Sequence, residues 1–277
     1  MLAHHALRSG QRDQPPVVIL CGGLGTRLRE ETEFRPKPMV PIGDRPILWH
    51  IMKIYAYYGF CEFILALGYK GEVIRDYFIN YDLMHADVRV RLTPKTIEIL
   101  NEGIEEREWE IILADTGASS MTGGRIRALR HYIGDRTFMV TYGDGVANIN
   151  IRKLLEFHYT AGKLATVTAV HPASRFGELQ VHGDLALSFQ EKPQTNQGWI
   201  NGGFFVFEPA VLDRIPSAET PLEAEPLESL AQECELAVYR HHGYWQCMDT
   251  PRDMQNLNDI WRRGDAPWCV WKHPHAS

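Results

Sequence analysis

The sequence has no run approaching the roughly 18 apolar residues that a bilayer-spanning helix needs, so no membrane span is expected. Positive charge is not in excess: 29 Lys and Arg stand against 35 Asp and Glu, a net −6. That balance argues against a nucleic-acid binder, whose contact face is normally a basic stripe. The five cysteines (Cys21, Cys61, Cys234, Cys247, Cys269) are odd in number and never spaced Cys-x-x-Cys. A disulfide framework and a structural zinc site are therefore not expected, and a reducing cytosol suits the chain best. The first 16 residues carry no apolar core of the kind a secretory leader has, so none is expected. Neither a Gly-x-Ser-x-Gly elbow nor a His-Glu-x-x-His pair is present.

What is there is enough for a sizeable core: 277 residues, 44% hydrophobic and 23% charged, with seven Trp. Residues 1–16, with His4, His5 and a closing Pro15-Pro16, read as a flexible arm, and 17–277 as a single domain. Val17-Val18-Ile19-Leu20-Cys21, stopped by Gly22-Gly23, has the continuous apolar pattern of a strand buried on both faces. A helix is expected over 46–58, with Pro46 in its first turn and Ile47, Ile51, Ile54 and Tyr58 on one stripe. A strand at 63–67 and a helix at 71–80 repeat the alternation, which predicts an α/β fold with a mainly parallel sheet. Short strands are expected around 88–99 and 109–113, a loop over the Gly- and Ser-rich 117–124, and a helix over 125–132. A strand at 138–142, a helix at 151–161 and a strand at 164–170 follow. The last third predicts antiparallel additions: a hairpin over 178–189 turning at Gly183-Asp184, and a strand at 203–207. A helix at 226–234, a strand at 236–239 and a closing helix at 252–262 complete the chain.

Four places carry candidate chemistry. Gly22-Gly23-Leu24-Gly25-Thr26-Arg27-Leu28 follows the first strand, where backbone amides can approach a phosphate. It lacks the Gly-Lys-Ser/Thr of a P-loop and the third glycine of a dinucleotide fingerprint, and a glycine turn alone is often merely a turn. Arg27 and the sequel Arg35-Pro36-Lys37-Pro38-Met39 strengthen the phosphate reading, because prolines on both sides restrict the backbone around Lys37. The second place is Asp144 between Gly143 and Gly145. The third is Asp249, although an Asp or Thr before Pro251 also makes an ordinary helix start. Two such carboxylates suit Mg²⁺, which takes few protein ligands and shares phosphate oxygens. The fourth is Glu191-Lys192-Pro193 with Asn201-Gly202-Gly203, where Lys192 would meet a phosphate and Glu191 sugar hydroxyls; as a loop pair they also read as surface charge.

These blocks, with Pro46-Ile47-Leu48, Phe189-Gln190 and Phe204, resemble those of the sugar-nucleotide pyrophosphorylases. Further stretches are similar to the branch of that family that couples CTP with glucose 1-phosphate. They are Trp49-His50-Ile51-Met52, Asp115-Thr116-Gly117, Ser119-Ser120-Met121-Thr122-Gly123-Gly124-Arg125 and Trp245-Gln246 with Met248-Asp249-Thr250. The resemblance covers nearly the whole chain and implies a Rossmann-like nucleotidyltransferase fold. It also implies that Leu20, Cys21 and the residues through Arg27 line the nucleotide site together with Ser120, Arg125 and Gly143. Arg27, Lys37 and Lys192 would be catalytic. Glu191, Lys192, Asn201 and Gly202 would hold the sugar phosphate, and Asp144 with Asp249 would hold Mg²⁺. A homo-oligomer, with six copies the number suggested, and cytosolic supply of CDP-linked deoxysugars for surface polysaccharide are implied too. Cys21 stands where the family usually has Ala, Arg35 where Lys is common, and Cys247 where Pro is usual. The same chemistry on another nucleotide or sugar stays open. An inactive regulatory subunit would be expected to lose Lys37 or the carboxylates, and the missing third glycine disfavours an NAD-dependent oxidoreductase.

Overall fold

The computed structural model describes residues 14–101, 106–172, 178–182, 185–190 and 198–272, the backbone alone for 178–190. Seven strands form the central sheet: β1 (Val17–Leu20), β2 (Glu62–Leu67), β3 (Glu110–Asp115), β4 (Phe138–Tyr142), β5 (Ala165–Val170), β6 (Ile200–Phe207) and β7 (Leu236–His241). Their order across the sheet is β7-β5-β6-β4-β1-β2-β3. β1 runs parallel to β2 and β4, β2 to β3, and β5 to β7, while β6 is antiparallel to both its neighbours. The expected α/β class with a mainly parallel sheet and antiparallel additions is what forms.

Alternation along each strand divides the core into two layers. Val17, Ile19 and Cys21 face one layer, with the helix Ile47–Tyr57, Leu257, Ile260 and Trp268. Val18 and Leu20 face the other, with Ile126, Leu129, Val211 and Leu230. Because both faces are covered, β1 reads as an unbroken apolar run. Among the described residues no helix is long and apolar enough to cross a membrane. Gln14 to Pro16 are described, and both prolines are buried, Pro16 O accepting from the amide of Met139.

Several expectations shift. Pro46 caps the helix Ile47–Tyr57 from outside rather than sitting in its first turn. Val88–Leu92 and Lys95–Ile99 do not join the sheet; they pair with each other as a separate, exposed hairpin. The loop expected over 117–124 ends early, because Thr122–Ala128 is helical with Gly123 and Gly124 inside it. A Cβ on Gly124 would lie 2.1 Å from the Ala218 carbonyl oxygen, and one on Gly123 2.7 Å from that of Thr220. These glycines serve close packing rather than a turn. The helix expected over 125–132 is broken at Leu129, with Arg130–Ile133 forming a separate turn. Glu178–His182 pairs antiparallel with Leu185–Gln190; the turn at Gly183-Asp184 lies outside the described residues.

His50, fully buried in Ile47–Tyr57, has both ring nitrogens engaged. Nε2 lies 3.1 Å from Ile42 O, and Nδ1 lies 3.3 Å from the Trp268 indole N–H. An indole can only donate, so Nδ1 accepts and the ring is neutral with its proton on Nε2. Burial lowers its pKa from 6.5 to about 4. Between those values the unfolded chain binds a proton that the folded chain refuses, so stability is lost as pH falls. The expected loss from this residue by pH 4 is about 3 kcal/mol. His50→Gln, whose amide can still donate to Ile42, should flatten the acid limb of a urea-midpoint titration over that window.

Candidate active site

The site forms where β1, β2 and β4 end in register, Leu20 opposite Ala66 and Tyr142, which is where open α/β sheets place ligands. A cleft of about 510 Å³ opens there, lined by the glycine loop, Lys37, Ser120, Arg125, Gly143 and Asp144 among others. That volume suits a nucleotide-sized ligand. A second cleft of about 300 Å³, bordered by Asn201, Gly202, Trp245 and Asp249, shares Arg27, Tyr142 and Asp144 with the first.

Two remote carboxylates meet because Gly145–Ala147 pairs antiparallel with Trp245–Cys247, and the Met248 amide donates to Asp144 O at 2.8 Å. The helix start after Asp249 is capped by its neighbour: Thr250 and Asp253 form a capping box with Pro251 in the first turn. The Asp249 carboxylate is thereby left for other work. Lys37, held in a short turn between Pro36 and Pro38, places Nζ 2.6 Å from Asp144 Oδ2 and 2.5 Å from Asp249 Oδ1. Arg27 Nη1 donates to Asp249 Oδ2 at 2.9 Å from a side chain that is 70% exposed. Burial alone would lower the Lys37 pKa, but the two carboxylates more than offset it and hold the ammonium above its usual range. Burial likewise pushes against ionised Asp249, yet Lys37 and then Arg27 keep it below the usual carboxylate range.

The chemistry of the donors fits Mg²⁺: two hard carboxylate oxygens already converge on one cation. Among the described residues no group of three His, Cys, Asp or Glu could hold a metal. A metal here would thus depend on phosphate oxygens for the rest of its shell, as Mg²⁺ usually does. Cys247 beside Asp249 is pushed up to about 12, by burial first and by Asp249 and Asp144 next, so it stays a neutral thiol.

Arg125 is 4% exposed and, among the described residues, faces no carboxylate within bonding reach; instead it clamps the cleft's backbone. Nη1 donates to Leu67 O, Thr116 Oγ1 and Gly117 O at 2.7–3.1 Å, and Nη2 donates to Gly22 O at 3.0 Å. A Cβ on Gly22 would lie 2.2 Å from this guanidinium, and one on Gly68 2.4 Å. Gly22 therefore makes room for an arginine, whereas Gly25, at φ +62°, makes the turn itself. Ser120 Oγ donates to Thr116 O at 2.5 Å, and Leu20 and Cys21 line the cleft beneath the loop. Gly23, Leu24, Thr26 and Arg27 face solvent. Asn201 and Gly202 reach the second cleft, whereas Glu191 and Lys192 lie outside the described residues. The motif blocks gave no individual role to Thr116 or Trp245; the structure sets Thr116 Oγ1 against the Arg125 guanidinium at 2.8 Å, and the Trp245 indole donates to Gly202 O at 2.7 Å.

The profile of the nucleotidyl transferase family matches residues 16–263. The chain belongs to that family. The glucose-1-phosphate cytidylyltransferases of Salmonella typhimurium and Salmonella typhi are each 49% identical to it over 256 residues, 92% of this chain and 99% of theirs. The mannose-1-phosphate guanylyltransferase catalytic subunit beta of Drosophila melanogaster is 29% identical over 259 residues, 91% of this chain and 63% of that one. Among solved structures, HddC from Yersinia pseudotuberculosis superposes with a TM-score of 0.66 at 23% identity, covering 90% of this chain and all of that one. A UTP-bound UGPase from Acinetobacter baumannii gives 0.64 at 15% identity, covering 94% and 97%. Likeness at such identities shows the fold. This nucleotidyl transferase should lose on the order of 3 kcal/mol of stability in Arg125→Met, read as a lower urea midpoint, because several buried carbonyls lose one charge-assisted donor.

Proposed function

We propose that this nucleotidyl transferase moves CMP from CTP to α-D-glucose 1-phosphate, giving CDP-glucose and pyrophosphate. The observation that carries the reading is the Arg27–Lys37–Asp144–Asp249 cluster at the junction of two clefts, one nucleotide-sized and one smaller. The base and the sugar come from the 49%-identical relatives.

The reaction needs no general base. A sugar phosphate has a second pKa near ~6, so its attacking oxygen is already an anion at neutral pH. That oxygen bonds to the α-phosphorus as the bond to the β-phosphate oxygen breaks, and pyrophosphate leaves with the electron pair. The obstacle is repulsion between anions, so catalysis rests on positioning and on fixed positive charge. Lys37 can exchange a carboxylate for a phosphate oxygen while keeping charge-assisted hydrogen bonds. With Arg27, it would hold the departing pyrophosphate. Lys192 would take the sugar phosphate, and Glu191 and Asn201 the sugar hydroxyls. Asp144 and Asp249 would hold Mg²⁺, which when bound supplies further positive charge to the phosphates. The same reading gives a single catalytic domain over 17–277 in a cytosolic homo-oligomer, six copies being the number suggested, that feeds surface-polysaccharide synthesis.

The test is pyrophosphate release over a grid of four nucleoside triphosphates and several sugar 1-phosphates, with and without Mg²⁺. CTP with glucose 1-phosphate should dominate, and chelation should abolish turnover. A different preferred pair would keep the chemistry and overturn the substrates. Lys37→Ala should lower kcat by about 10²–10³, as loss of one preorganised charge-stabilising donor does; wild-type turnover in that variant removes Lys37 from the mechanism.

A further inference from the structure

The Met121-Thr122-Gly123-Gly124 block is the most distinctive stretch of the sequence, yet its two glycines face a surface loop and not the cleft. The amide of Met121 donates to Ala218 O at 2.9 Å, and that of Gly124 donates to Thr220 O at 3.1 Å. The Leu222 amide donates to Thr122 Oγ1 at 2.8 Å. With no Cβ at 123 or 124, the segment 217–222 lies directly on the helix. What this packing presents is the next residue, Glu223.

Glu223 sits at the head of a hydrogen-bonded relay whose direction is fixed by chemistry. A carboxylate only accepts, so both hydroxyls that reach it must donate. Thr122 Oγ1 donates to Oε2 at 2.6 Å, and the Tyr142 phenol donates to Oε1 at 2.5 Å. The phenol proton is thereby committed, and its oxygen accepts from Asn201 Nδ2 at 3.2 Å. Asn201 Oδ1 in turn accepts from the Gly203 amide at 2.8 Å, which leaves its carboxamide one orientation. Gly203, at φ +78°, permits this: a Cβ there would lie 2.4 Å from the Tyr142 ring. Burial first, and then the Glu223 charge, hold the phenol protonated well above the ordinary tyrosine range. Tyr142 borders both clefts and Asn201 only the smaller one.

We infer that Glu223 is a positioning residue for the sugar 1-phosphate: by fixing the Tyr142 phenol it orients the Asn201 carboxamide in the smaller cleft, and the Met121–Gly124 block serves to hold it there. This rests on the reading that the smaller cleft takes the sugar phosphate. The relay links the wall that carries Thr122 to the strand ends that carry Tyr142 and Asn201, so substrate positioning is built partly on a residue 20 positions beyond Gly203 in the chain.

Steady-state kinetics on the intact protein separate the outcomes, with pyrophosphate release as the readout. Glu223→Ala and Tyr142→Phe should each raise KM for the sugar 1-phosphate about tenfold, the effect of losing one or two modest hydrogen bonds. KM for the nucleotide should stay within about twofold and kcat within about threefold. Glu223→Gln keeps one accepting oxygen for the phenol and should recover most of the loss. The Tyr142→Phe/Glu223→Ala double variant should be no worse than the poorer single one, because both break one relay. Equal increases in both KM values, additive losses in the double variant, or no change in the sugar KM would each overturn the inference. Should Glu223→Ala fail to fold, Glu223→Gln and Tyr142→Phe carry the same comparison. If the wild-type protein releases pyrophosphate with no sugar 1-phosphate at all, the functional reading falls first and this inference with it.

Discussion

The site depends on one ion cluster: an ammonium from residue 37 shared by carboxylates from residues 144 and 249. None of the three is more than about a quarter exposed, so each charge would be costly without its partners. The cluster is therefore a constraint on the fold as well as the centre of the proposed chemistry. It requires the turn around Lys37 to lie against Gly143 and Asp144, just past the end of β4, and it requires the chain after residue 241 to return beside residues 145–147. The two-stranded ladder between Gly145–Ala147 and Trp245–Cys247 meets that second demand. In return, the protein keeps concentrated charge at the place where highly charged ligands would arrive, already oriented and partly shielded from water.

Around that cluster the backbone is shaped mainly by side chains. The glycine loop illustrates this. Gly22 and Gly68 flank the Arg125 guanidinium, which no residue with a Cβ would allow, and Arg125 then ties β1, β2 and the 116–118 turn into one wall. Burial pulls the Arg125 guanidinium below the ordinary arginine range, the mark of a cation held by neutral carbonyls rather than by an acid. A loop that looks made for phosphate is thus partly made for an arginine, and the face left to a ligand is the solvent-facing stretch from Gly23 to Arg27.

Much of this architecture was legible beforehand. The stripe Ile47, Ile51, Ile54 marks the helix Ile47–Tyr57, and the apolar run 17–21 marks a strand covered on both faces, because burial periodicity is local information. Lys37 between prolines and Asp144 between glycines stood out for the same reason. Other features had no local signal. Gly123 and Gly124 read as loop by propensity and are helical by packing. The alternating strands at 88–99 have the period of a half-buried strand, yet among the described residues they pair with each other and not with the central sheet. Glu223 reads as one more surface acid in an acidic segment.

By itself the sequence determined the class of fold, the order of strands and helices, and the residue types able to handle phosphate, since these follow from short-range periodicity and turn chemistry. Only the tertiary structure decided which of those residues meet. Lys37 finds its carboxylates 107 and 212 positions away, and Arg125 finds Gly22 across 103. Close approach and charge pairing act through space, and the order of strands in the sheet, which no local pattern encodes, sets that space.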